Sequence, residues 1–120
     1  MKRGTIVLCQ FPFTDDSGSK LRPALVVSRS DRLGDDCQVA FITGSISPVL
    51  QMTDLRLQSS RKDFASTGLR RDTEIRLDKI TIIHTSLVKG ALGELPSELI
   101  PVIDAKIAYA LGIRDTIDTP

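Results

Sequence analysis

A chain of 120 residues, with sixteen Lys and Arg against fifteen Asp and Glu, has room for one domain built round a core of its own. Its hydrophobic share of 41% argues against disorder, and the net charge of +1 argues against a strongly basic nucleic-acid binder. Aromatic residues make up only 4%, with no tryptophan, which excludes a broad base-stacking platform.

Met1-Lys2-Arg3-Gly4 leads into a short apolar run without a cleavage site, so no signal peptide is expected. No apolar run approaches the ~20 residues of a membrane helix, and a cytoplasmic protein is expected. Thr5 to Phe11 is rich in β-branched and apolar residues, which predicts a first strand closed by Pro12. Residues 14–20 are turn formers and predict a loop. Arg22-Pro23 opens a second strand running to Ser28, since proline is tolerated at a strand's first residue. After a polar turn, Cys37 to Thr43 predicts a third strand, ended by Gly44-Ser45. Leu50 to Leu57 is a weaker strand, and Ser59 to Thr67 a polar connector. Asp72 to Asp78 alternates strictly, with Ile75 and Leu77 on one face and Glu74, Arg76 and Asp78 on the other. Ile80–Thr85 and Leu87–Leu92 read as two further strands.

The last element is a helix over 97–111. Leu99, Val102, Ile103, Ile107 and Leu111 follow helical spacing, with Ser97 as N-cap, Gly112 as C-cap residue and Pro101 in the first turn. Residues 113–120 are left as a tail. Many short strands followed by one helix predict a single antiparallel, mainly β domain spanning 1–120.

Three places could carry chemistry. Arg22, at the base of the polar loop, offers a planar fork that matches phosphate oxygens; the plainer reading is a solvated strand-start arginine. Thr43 ends a strand, where a hydroxyl can hold a phosphate or simply satisfy the backbone. Arg76 and Asp78 share a strand face, as a proton acceptor beside a phosphate binder or as part of a solvated or salt-bridged sheet face. Asp15-Asp16 and Asp35-Asp36 lack a third supporting carboxylate, so neither metal nor cofactor is expected. Cys9 and Cys37 read as small buried hydrophobes, and His84 as a partly buried sheet histidine.

The segments Gly4-Thr-Ile-Val-Leu, Phe11-Pro-Phe-Thr-Asp15 and Ser19-Lys-Leu-Arg-Pro-Ala-Leu-Val-Val-Ser28 resemble the opening of PemK/MazF-family toxins. Phe41-Ile-Thr43, Gly68-Leu-Arg-Arg-Asp72, Ile75 to Ile80, Leu92-Gly-Glu-Leu95 and the terminal helix resemble later parts of the same family, in the same order. The resemblance implies a small SH3-like antiparallel β-barrel with a C-terminal helix, acting as a homodimer. It implies the toxin of a type II toxin–antitoxin pair: a metal-independent endoribonuclease that cuts single-stranded mRNA at short sequences, leaving 2′,3′-cyclic phosphate and 5′-OH ends. A cognate antitoxin is the implied partner. On the same resemblance Arg22 and Thr43 are catalytic, with Arg76 and Asp78 beside them. Phe13, Thr14, Ser19, Lys20, Ser45 and Lys79 complete the expected RNA-binding set, Phe13 as a stacking surface or a barrel plug. One member with such an Arg-x-Asp pair places a histidine in the first loop, and this chain has none there. The alternative is a non-catalytic toxin on the same fold, such as the CcdB-type gyrase poisons.

Charge is uneven along the chain. Residues 1–34 carry six basic and three acidic side chains, and residues 56–79 seven and four; the segments between and after them are net acidic. The positive segments hold Arg22 and Arg76, which is compatible with a cationic groove on a near-neutral protein.

Overall fold

The computed structural model describes residues 1–12, 19–31 and 33–115. Six strands form one antiparallel sheet: β1 (Thr5–Pro12), β2 (Ser19–Val26), β3 (Asp36–Thr43), β4 (Asp54–Leu57), β5 (Thr73–His84) and β6 (Val88–Glu94), in the order β4-β5-β3-β2-β1-β6. The helix α1 (Ile100–Ala110) follows. No ladder joins the edge strands β4 and β6, so the sheet curls without closing by hydrogen bonds. A 3-10 turn, Phe64–Thr67, occupies the gap. It lies so close to β6 that a Cβ on Gly93 would run into the Ser66 and Thr67 backbone. Gly68 then turns the chain with φ +73, and a side chain there would strike the Leu92 carbonyl. Only glycine meets both demands.

Several predicted boundaries move for identifiable reasons. The second strand starts at Ser19, not at Arg22-Pro23, because its ladder with β1 runs from Ile6↔Leu25 out to Pro12↔Ser19. Proline has no amide hydrogen to give a neighbouring strand, and the β2–β3 ladder ends beside it at Ala24↔Phe41. The two strands expected over 72–78 and 80–85 are one. Arg76 and Ile80 face the adjacent residues Phe41 and Ala40, so Leu77, Asp78 and Lys79 bulge out and bend β5 without breaking it. Ser97 is not the helix cap: it begins a 3-10 turn in which Leu99 N donates to the Pro96 carbonyl, and the chain runs into α1 without a side-chain cap.

Gly112 does end the helix. The amides of Gly112 and Ile113 donate to the carbonyls of Tyr109 and Ala108, the paired bonds of a left-handed C-terminal turn, with Gly112 at φ +75. None of the described residues lies within 4 Å of where a Cβ would sit. Gly112→Ala therefore isolates backbone strain, and we expect it to cost about 1 kcal/mol in urea unfolding with an unchanged m-value.

Both sheet faces are packed. Ile6, Leu25, Ala40, Ile42, Ile75 and Leu77 meet Leu99 and Ile103 under α1. Val7, Cys9, Ala24, Val26, Cys37 and Val39 line the other face with Ile83. Both cysteines are free and buried. Burial pushes the Cys9 thiol up to about 11, so it stays protonated at neutral pH. His84 is exposed rather than partly buried: it ends β5, where its Nδ1 accepts from the Ser86 amide at 3.1 Å. No helix among the described residues is long and apolar enough to cross a membrane.

Candidate active site

Register brings the polar residues of four strands together. Ala24, Phe41, Arg76 and Asp54 form one cross-strand row, and Thr43, Glu74 and Arg56 form the next. Continued past Ala24, the β2 register sets Arg22 alongside Thr43. Residues two apart on a strand share a face, so Lys20, Arg22, Phe41, Thr43, Glu74 and Arg76 all belong to one side of the sheet. Phe11 packs edge-on against Phe41, with ring centroids 6.2 Å apart.

The ladder fails where Pro23 stands, and a cavity of about 520 Å³ lies there, bordered by Arg22, Pro23, Ile42, Thr43 and Ser45. Its other walls are Leu8, Leu92 and the segment 68–71. The Ser45 amide donates to Thr43 Oγ1 at 3.1 Å, which orients the hydroxyl and leaves its own proton to give.

Behind Ser45 the loop is pinned by a buried ion pair. Glu74 is fully buried, and its carboxylate accepts from Arg56 Nη2 at 2.7 Å and from the Ser47 amide at 3.1 Å. Arg56 also donates to the Ser47 carbonyl. Burial works to raise the Glu74 carboxyl; Arg56 and the Ser47 amide outweigh it and hold the group below the ordinary carboxylate range. The face opposite Ile75 and Leu77 is thus not simply solvated.

Arg76 lies between two carboxylates. Its Nε is 2.9 Å from Oδ1 of the buried Asp54, an ion pair not aligned for a hydrogen bond, and its Nη2 donates to Asp78 Oδ2 at 3.3 Å. The hydrogen bond to Asp78, helped by the charge of Asp54, outweighs burial and raises the guanidinium above its ordinary pKa. Arg76, Asp78 and Lys79 do not border the cavity, whereas Arg22, Thr43 and Ser45 do. Lys20 sits further out along β2. Phe13 and Thr14 lie outside the described residues, and Ser19 is placed by its backbone alone, opposite Pro12. Among the described residues no three His, Cys, Asp or Glu side chains gather as a metal site.

Arg70 and Arg71, which also line the cavity, were not singled out as site residues from the sequence. The signal was the surplus of bases in residues 56–79, with Arg70 and Arg71 just past the turn-forming Gly68. Arg3, Arg29, Arg56, Arg61 and Arg76 each have a carboxylate partner. Arg22, Arg70 and Arg71 pair with no carboxylate among the described residues, a property they share with Arg114 near the C-terminus.

Residues 2–111 match the family model of PemK-like, MazF-like toxins of type II toxin–antitoxin systems. The chain belongs to that family. Solved structures agree on the fold. An endoribonuclease from a mycobacterial species, in complex with its cognate antitoxin, superposes with a TM-score of 0.71 at 22% identity, covering 95% of this chain and 97% of that one. The Mycobacterium tuberculosis toxin MazF-mt6 gives 0.69 at 22% identity over 90% and 96%. MazF from Deinococcus radiodurans in a MazE–MazF crystal gives 0.73 at 18% identity over 95% and 97%. No curated relative matches the chain in sequence. For a PemK/MazF toxin, the polar face built by β2, β3 and β5 and the cavity at its end are the candidate active site.

Proposed function

We propose that this PemK/MazF toxin is a cytoplasmic endoribonuclease that cuts single-stranded RNA at short sequences without a metal ion. One observation carries the reading. Arg22 and Thr43 border the same cavity where β2 parts from β3, and no carboxylate among the described residues neutralises Arg22. Five other arginines here are tied to carboxylates, whereas Arg22 keeps its charge and its fork of donors available to a phosphate.

The chemistry follows from the groups present. The ribose 2′-OH attacks the adjacent phosphorus, and the bond from phosphorus to the 5′ oxygen breaks. A 2′,3′-cyclic phosphate and a 5′-OH remain. Arg22 donates from its fork to the non-bridging oxygens as negative charge grows on them. Thr43 donates its free hydroxyl proton to the same phosphate. Of Asp54, Glu74 and Asp78, which lie along β4 and β5, the first two are buried in ion pairs and only Asp78 reaches solvent, with 39% side-chain exposure. Asp78 therefore takes the 2′-OH proton, with Arg76 orienting it, and solvent protonates the leaving oxygen. Lys20, Lys79, Ser19, Ser45, Phe13 and Thr14 contact the strand on either side. The active unit is a homodimer, and a cognate antitoxin silences it by laying acidic side chains over the unpaired arginines.

The test is incubation of the purified protein with a long single-stranded transcript in EDTA. Cuts at recurring short sequences, ending in cyclic phosphates, are expected. An intact transcript would leave a toxin that acts by binding alone.

A further inference from the structure

Arg71 has a seat of its own. Gly44, the residue after Thr43, carries no side chain, and the Arg71 guanidinium fills the space that one would take. A Cβ on Gly44 would lie 2.6 Å from Arg71 Nη2 and 2.8 Å from Nε. The neighbouring Asp72 makes no ion pair with Arg71; its Oδ1 accepts from the Ser59 amide at 2.6 Å. The Arg71 guanidinium thus lies against the backbone one residue beyond Thr43, lining the same cavity as Arg22, with its charge uncompensated among the described residues.

We propose that Arg71, seated on Gly44, binds the RNA phosphate adjacent to the scissile one, so that the substrate is gripped at two successive phosphates. The proposal rests on the ribonuclease reading and adds a binding residue to it. Arg22 and Thr43 act on the phosphate that reacts, and Arg71 sets the register of the strand across them. Arg70, beside it, reinforces the field of the cavity without a seat of this kind. The side chain at position 44 becomes a determinant of substrate binding without touching substrate, since anything larger than hydrogen displaces the guanidinium.

The experiment is a binding titration over a range of salt, using a 2′-fluoro transcript that lacks the nucleophile and cannot be cut. Arg71→Ala should weaken binding about tenfold and flatten the plot of log affinity against log salt by about 0.7, the share of one phosphate contact to a single strand. Arg71→Lys should restore the slope while recovering only part of the affinity. Gly44→Ala should weaken binding to a similar degree and add little in the Arg71→Ala background, because both changes remove one contact. On a cleavable transcript the Arg71→Ala loss should fall in KM far more than in kcat. An unchanged salt slope in Arg71→Ala, or fully additive effects of the two substitutions, would overturn the proposal. If the wild type binds through Arg71 yet cuts no transcript, the ribonuclease reading fails and the phosphate site stands. If it cuts normally and Arg71→Ala binds as the wild type does, the phosphate site alone fails.

Discussion

Arg22→Ala is expected to lower the rate of RNA cleavage by about 10²–10³-fold, with little change in melting temperature. The two halves of that expectation come from the same fact. Arg22 is exposed and has no ion-pair partner among the described residues, so the fold loses little when it is removed. The phosphorane loses its fork of donors at the moment charge develops, and that loss appears in kcat. Arg22→Lys keeps the charge and gives up the planar, two-point geometry, so it should recover only a minor part of the rate. Single-turnover cleavage of a transcript in EDTA measures both. An Arg22→Ala protein cutting within threefold of wild type would remove Arg22 from the chemistry.

The sequence made much of this arrangement legible, and the rest was hidden for physical reasons. The strand cores at 5–11, 37–43 and 73–78 showed in their β-branched runs and alternation, since burial of one face imposes a period of two. The bend in β5 did not show. A bulge depends on which residues the partner strand sets opposite, and that pairing is a property of two distant segments. Pro23 was read as a strand opener; in the structure it lies within β2 and ends one of its two ladders, and that makes room for the cavity. Arg22 and Thr43 could be singled out by residue type, but their adjacency needed the β2–β3 register. Glu74 was placed on the face opposite Ile75 and Leu77, read as solvated or salt-bridged, with no sign that it is fully buried. Its burial came from Arg56 and Ser47, a strand and a loop away, and nothing in the local pattern announces such partners. Arg71 was missed for a similar reason: its role is defined by the empty space at Gly44.

The Glu74–Arg56 pair leads to the second large effect. Arg56→Ala should destabilise the protein by about 3 kcal/mol near neutral pH, because it leaves a fully buried carboxylate without its counter-charge. For a domain of this size that is a fall of about 10 °C in melting temperature. The pH dependence identifies the cause. In the wild type the Glu74 carboxyl lies below the ordinary carboxylate range, so its stabilisation is complete above the unfolded value and is lost as pH falls through the folded one. Without Arg56, burial acts against the charge with only the Ser47 amide and side chain opposing it, and the Glu74 carboxyl is expected to rise above its unfolded value. The sign then reverses: the variant loses stability as pH rises from the unfolded value, about 4.3 for a glutamate, through the raised folded one. The gap between wild type and Arg56→Ala should therefore be widest near neutrality and should narrow on acidification. A gap that stays constant with pH would assign the loss to packing instead of charge. Glu74→Gln in the Arg56→Ala background should recover part of the stability, since a neutral amide can still accept from the Ser47 amide. Activity should follow stability only in part. Arg56 and Glu74 hold Ser47, two residues past the amide that orients the Thr43 hydroxyl, so a loosened loop costs kcat even at temperatures where the variant is fully folded.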